Sequence, residues 1–117
     1  MTEKSIYAIY GASGFGREVM PLALIQLTQN SIPREWLVFV DDSEHVPSMI
    51  NGHQVMRYTQ FLEEQASVRH AVLAVADGTV REKLARRYAA NGIRCLPLGV
   101  YDLQPIADFS IFNTNKK

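Results

Sequence analysis

The residues best suited to chemistry in this chain are Gly11-Ala12-Ser13-Gly14-Phe15-Gly16-Arg17-Glu18. An apolar run from Ile6 to Tyr10 leads into them and a helical pattern leads out, so they read as a strand, a glycine turn and a helix start. Such a turn lets a ligand come close to the backbone, and the unpaired N–H groups at the helix start favour phosphate or another anion. Gly11, Ser13, Gly14, Phe15 and Gly16 are the candidate backbone donors. The glycines fall as G-x-x-G-x-G, not as the G-x-G-x-x-G of the dinucleotide fingerprint. They also fit a packing role alone, as a tight turn with a helix seated closely on a strand.

Two acidic segments stand at comparable places. Asp41-Asp42 closes the apolar run Trp36 to Val40, and Ala76-Asp77 closes the run from Ala71. An acidic residue roughly 20 to 30 positions beyond the glycine turn is where a Rossmann domain bonds a ribose hydroxyl; Asp is equally a residue that ends strands in turns. A general base would have to stand within about 3 Å of the group it deprotonates. His45 in a loop, His53 ahead of a short strand and His70 at the amino end of a strand are poorly placed for that, so no catalytic residue is assigned. Cys95 has no Cys or His at metal-ligand spacing and sits in an apolar run, which points to packing, and no metal site is expected.

The elements that must position these residues follow from the hydrophobic pattern. Val19, Leu22, Ala23, Leu24, Ile25 and Leu27 give a first helix a broad apolar face, and Pro21 within it predicts a kink or a late start. Trp36 to Val40 and Ala71 to Ala76 are continuous apolar runs, as expected of strands buried on both faces of a parallel sheet. Residues 43 to 51 read as a loop, Gly52 to Tyr58 as a short edge strand, and Thr59 to Gln65 as a short helix with Phe61 and Leu62 inward. Thr79-Val80-Arg81-Glu82 has the form of a capping box. The helix it would open sets Val80, Leu84, Ala85, Tyr88 and Ala89 on one face and ends at Asn91-Gly92; Ile93 to Leu98 is a further strand. Alternating strands and helices predict an α/β, Rossmann-like doubly wound parallel sheet, with its ligand crevice beyond the carboxyl ends of the strands. The glycine turn, Asp41-Asp42 and Ala76-Asp77 then share one edge.

With 117 residues the chain has the length of one domain, and 47% hydrophobic residues suffice for a core. Basic and acidic side chains number 12 each, giving zero formal charge and no basic stripe, so nucleic acid is a poor partner. The apolar runs fall short of the ~20 residues that cross a bilayer, and Glu3 and Lys4 do not open a signal peptide. The expected location is the cytoplasm.

The tail changes character. Ile106-Ala107-Asp108-Phe109-Ser110-Ile111 fits a hexapeptide pattern, and Phe112 to Asn115 begins a looser copy. Repeats of this kind stack into parallel β-helices, which need at least three coils; the same residues also fit a frayed terminus. The expected division is residues 1–104 as the Rossmann-like domain and 105–117 as the truncated start of a left-handed β-helix, or a frayed tail.

Together the glycine turn with Arg17, Glu18 and Val19, Val38 to Asp42, Asn51 to Val55, Leu73 to Asp77 with Arg81, and Asn91-Gly92-Ile93 resemble the N-terminal domain of sugar O- and N-acyltransferases of the sialic acid O-acetyltransferase and PglD type. Family members commonly have His where Phe15 stands and Gly where Ala76 stands, and a His-Pro-Ser-Ala-like segment where this chain reads Leu98 to Asp102. The resemblance implies a domain that holds a UDP-linked amino sugar. It assigns the diphosphate to the glycine turn, the ribose or uracil to Asp41 and Asp42, and the border of the sugar to Ala76 and Asp77. It also implies a following β-helix that forms homotrimers, binds acetyl-CoA and carries the catalytic histidine, so that this chain alone binds no cofactor and turns nothing over. Two other readings remain open: a small NAD(P)-binding or regulatory Rossmann module with Asp41 on the adenosine ribose, and an interaction domain that has lost its ligand.

Overall fold

The computed structural model describes residues 4–12 and 14–96. In chain order these form strand β1 (Ser5–Tyr10), helix α1 (Phe15–Gln29), a 3-10 turn (Arg34–Trp36), β2 (Leu37–Val40), β3 (Met49–Ile50), β4 (His53–Met56), α2 (Tyr58–Glu63), β5 (Val68–Leu73), α3 (Gly78–Ala90) and β6 (Arg94–Leu96). The six strands make one sheet in the order β3-β4-β2-β1-β5-β6, in which every pairing is parallel except β3 with β4. From β1 the chain winds outward through β2 and β4, then returns to the other side of β1 for β5 and β6. The winding reverses at β1, where open α/β sheets place their ligands.

Both faces of the central strands are covered, as the uninterrupted apolar runs predict. Tyr7, Ile9, Leu37, Phe39 and Val72 pack beneath Val19, Met20, Ala23 and Leu27 of α1. The alternate residues Ile6, Ala8, Val38, Val40, Ala71 and Leu73 pack beneath Phe61 of α2 and Tyr88 of α3. Each large aliphatic or Phe side chain among them contributes about 1.5–3 kcal/mol when fully buried. Tyr88 also joins the two helices on its face: its ring lies 4.7 Å from that of Tyr58, whose hydroxyl accepts from Asn91 Nδ2 at 2.9 Å.

Several local expectations need correction. Residues 43–51 are not all loop, and β4 is not at the edge, because β3 pairs outside it through Asn51-Gly52. These two residues have φ of 52° and 84°, the doubly positive pair of a tight primed hairpin turn. The strand expected over Ala71–Ala76 begins earlier and ends at Leu73, which frees Ala74 to Asp77 as a loop. Trp36 belongs to the 3-10 turn ahead of β2. Helix α1 starts at Phe15 and continues through Pro21, so the late start does not occur. Ile25 and Val80 are exposed rather than inward, at 52% and 44%. The helix α3 is capped by Asp77, not by Thr79: Asp77 Oδ1 accepts from the backbone N–H groups of Thr79 and Val80 at 2.9 and 3.1 Å. The division near residue 104 and the hexapeptide pattern lie outside the described residues. Among the described residues no helix is long and apolar enough to cross a membrane.

His70 lies within β5, wholly buried and stacked on Tyr7 with ring centroids 4.7 Å apart, and neither of its ring nitrogens has a hydrogen-bond partner. Burial, aided by the nearby Arg94 charge, lowers its pKa to about 4. The folded state then binds fewer protons than the unfolded chain, whose histidine titrates near 6.5. His70 therefore favours folding above pH ~6.5, and that contribution is lost as the pH falls toward 4, by on the order of 3 kcal/mol. His53, also lowered by burial, acts in the same direction. His70→Phe, which keeps an aromatic ring against Tyr7, should lose much less stability between pH 7 and pH 4.5 in urea melts than the parent protein does. Equal losses in the two proteins would show that His70 does not carry this dependence.

Candidate functional site

The glycine turn is built by three glycines with different tasks. Gly11 has φ +99° and donates its N–H to Val40 O of β2 at 2.9 Å, so the chain leaving β1 is tied to the neighbouring strand. Gly14 has φ +44° and ψ −111°, and its carbonyl receives the N–H groups of Arg17 and Glu18 at 3.1 and 3.3 Å. Gly16 is a matter of space: a Cβ there would stand 1.7 Å from Gly11 O. The packing role suggested for these glycines therefore holds for Gly16, whereas Gly11 and Gly14 are needed for backbone conformation. Among the described residues no side chain caps α1, and the N–H groups of Phe15 and Gly16 in its first turn meet no acceptor. Ser13, the remaining candidate in the turn, lies outside them. Phe15 is 40% exposed at the lip of the turn.

Asp41 and Asp42 arrive at the same edge from β2. Asp41 Oδ2 accepts from the Ala12 N–H and Oδ1 from the Ser43 N–H, both at 2.8 Å. Burial alone would raise its pKa, but hydrogen bonds from Ser43 and Ala12, with the Arg57 charge, hold it below the ordinary carboxylate range. Asp42 turns the other way: its Oδ1 accepts from the Tyr58 N–H at 2.9 Å, at the start of α2, and its carbonyl accepts from Arg57 Nη1 at 2.5 Å. On the far side of β1, Ala74 donates to Tyr10 O at 3.3 Å, and Arg81 Nη1 grips Val75 O and Ala76 O at 2.7 and 3.4 Å. Ala76 and Asp77 are exposed there. The expected segments thus converge, although the three aspartates also serve the backbone.

A cavity of about 360 Å³ opens between Ala12, Arg17, Asp41 and the loop 43–47. A second, of about 390 Å³, lies between α3 and the ends of β5 and β6, with Arg81, Glu82 and Cys95 in its wall. The first is the better candidate despite its smaller volume, because Ala12 of the turn, Arg17 and Asp41 line it. His45 lines it as well, from a side chain 96% exposed beside Glu44; His53 and His70 are buried elsewhere in the sheet. No His, Cys, Asp and Glu cluster able to hold a metal occurs among the described residues.

Arg17 was missed as a site residue. Its Nε donates to Ala12 O at 3.0 Å, and it lines the cavity. Its place in the first turn of the helix, just past the last glycine, was the available signal. Arg57 left no such signal, since only the tertiary fold brings it to Asp41.

The topology and the turn define a Rossmann-like α/β domain with its crevice at the carboxyl edge of the sheet. Residues 7–88 match the family model described as the PglD N-terminal domain, and the chain belongs to that family, the N-terminal domains of sugar acetyltransferases. GDP-perosamine N-acetyltransferase of Escherichia coli O157:H7 is 28% identical over 89 residues, covering 76% of this chain and 40% of the relative. The solved structure of WeeI from Acinetobacter baumannii AYE matches with a TM-score of 0.71 at 34% identity, over 80% of this chain and 42% of its own. The chain spans about two fifths of the length of each.

Proposed function

We propose that this chain is the nucleotide-sugar-binding domain of a sugar acetyltransferase and holds a UDP-linked amino sugar beyond the ends of β1, β2 and β5. The observation that carries the reading is the N-terminus of α1 beneath the positive-φ glycine turn, which no side chain caps among the described residues and whose backbone N–H groups can receive a diphosphate. In this reading Gly11, Ser13, Gly14, Phe15 and Gly16 meet the diphosphate, Asp42 faces the ribose or base, and Ala76 and Asp77 border the sugar, while Asp41, whose two oxygens already accept from the Ala12 and Ser43 N–H groups, stands behind the turn rather than on the ribose. The acetyl donor would be acetyl-CoA. Its site, the general base for the attacking sugar amine or hydroxyl, and trimer assembly would belong to the greater length that the relatives possess. The setting would be glycan biosynthesis in the cytoplasm. GDP is a second reading of the nucleotide, favoured by the relative named for GDP-perosamine.

A thermal-shift series with UDP, a UDP-amino sugar, GDP and NAD at equal concentration tests this. A ligand at 100 times its Kd that binds only the folded state stabilises it by about 2.7 kcal/mol. The uridine nucleotides should raise the midpoint and NAD should not. A shift with GDP alone would move the assignment to guanosine, and a shift with NAD alone would overturn it in favour of a dinucleotide module.

A further inference from the structure

Ala12 sits between the two positive-φ glycines and is almost wholly buried, at 1% exposure. Both of its backbone polar groups are held by side chains from outside the turn's own backbone. Its N–H donates to Asp41 Oδ2 at 2.8 Å, across 29 residues of sequence, and its carbonyl accepts from Arg17 Nε at 3.0 Å. The other Asp41 oxygen is already taken by the Ser43 N–H at 2.8 Å. A carboxylate with both oxygens engaged by short N–H bonds is better placed to hold a backbone than to recruit a ligand hydroxyl.

We propose that Asp41 and Arg17 are positioning residues for diphosphate binding, which grip Ala12 by its N–H and its carbonyl and so set the aim of the glycine turn. The proposal rests on the nucleotide-sugar reading above. Glycine turns are conformationally loose, and ordering a loose loop at the moment of binding costs affinity. Gripping Ala12 at both groups therefore prepares the donors of the turn in advance. Arg17 does this with a single Nε–H bond at 3.0 Å.

Calorimetric titration of the whole chain with UDP, inorganic pyrophosphate and uridine separates the alternatives. Asp41→Ala and Arg17→Ala should each weaken UDP and pyrophosphate about tenfold while changing uridine less than twofold. The double variant should lose about as much as either single one, because both act on one residue and coupled sites are not additive. Asp41→Asn, which keeps the size and one acceptor, should recover part of the loss and serves if the alanine variant does not fold. Loss of UDP and uridine affinity with pyrophosphate unchanged would make Asp41 a ribose ligand and overturn the proposal. Losses that multiply in the double variant would mean that Arg17 acts by charge alone, and lower melting temperatures with unchanged affinities would leave the pair merely structural. Were the parent protein to bind none of these probes nor GDP, the nucleotide-sugar reading would fall and the proposal with it; parent binding with unaffected variants would remove the proposal alone.

Discussion

Gly16→Ala should be the most damaging single-methyl change in the chain, lowering stability by about 3 kcal/mol and the melting temperature by about 15 °C. The added Cβ would stand 1.7 Å from Gly11 O and 2.8 Å from Gly11 C, both backbone atoms of the turn. Nothing at the far end of a flexible side chain can give way, so α1 must lift off the turn. Lifting it disturbs Val19, Met20 and Ala23, which are packed on the sheet. Gly78→Ala is the control: its Cβ would meet only the tip of Arg81, at 3.8 Å, and Gly78 is not among the positive-φ glycines. That variant should melt within a few degrees of the parent. If Gly16→Ala also melts there, the helix is not seated on the turn as closely as the structure has it.

What the sequence made legible was set by residues whose local pattern and tertiary role coincide. The runs Ile6 to Tyr10 and Leu37 to Val40 are apolar throughout because both faces of their strands are covered, so a parallel sheet with helices on each side could be read directly. The family resemblance drawn from the glycine turn and the aspartate pair agrees with the match over residues 7–88. Strand β4 was read within Gly52 to Tyr58, but its partner β3 was missed although Asn51-Gly52 is a recognised hairpin signal, because Met49 and Ile50 are too few to show a period. The cap of α3 was misplaced by two residues because Asp77 and Thr79 are both good capping residues, and only the backbone decides which one leaves the helix. The grip on Ala12 was invisible for a different reason. Its parts, Arg17 and Asp41, lie 24 positions apart, and although the pattern set the turn and Asp41 at one sheet edge, nothing in either neighbourhood says that both side chains bond Ala12.

Gly14→Val should separate binding from folding where Gly16→Ala cannot. A Cβ at Gly14 would meet nothing within 4 Å, so no contact of the folded protein opposes it. The cost to folding comes from the backbone alone: φ +44° with ψ −111° lies outside the regions that L-residues favour, and a β-branched side chain adapts worst. That cost is about 1–3 kcal/mol, which leaves a protein that is still folded at room temperature. The open space above Gly14 is also where the diphosphate would lie in the proposed reading, and an isopropyl group there would keep phosphate oxygens from the N–H groups of the first helical turn. The stabilisation by UDP should then disappear, a loss of at least 100-fold in affinity if the shift falls from ~2.7 kcal/mol to nothing. Gly14→Ala, smaller and unbranched, should retain part of it. Thermal shifts with UDP, together with a far-ultraviolet spectrum matching the parent's, decide the matter. A folded Gly14→Val protein that still responds to UDP as the parent does would place the diphosphate somewhere other than the glycine turn.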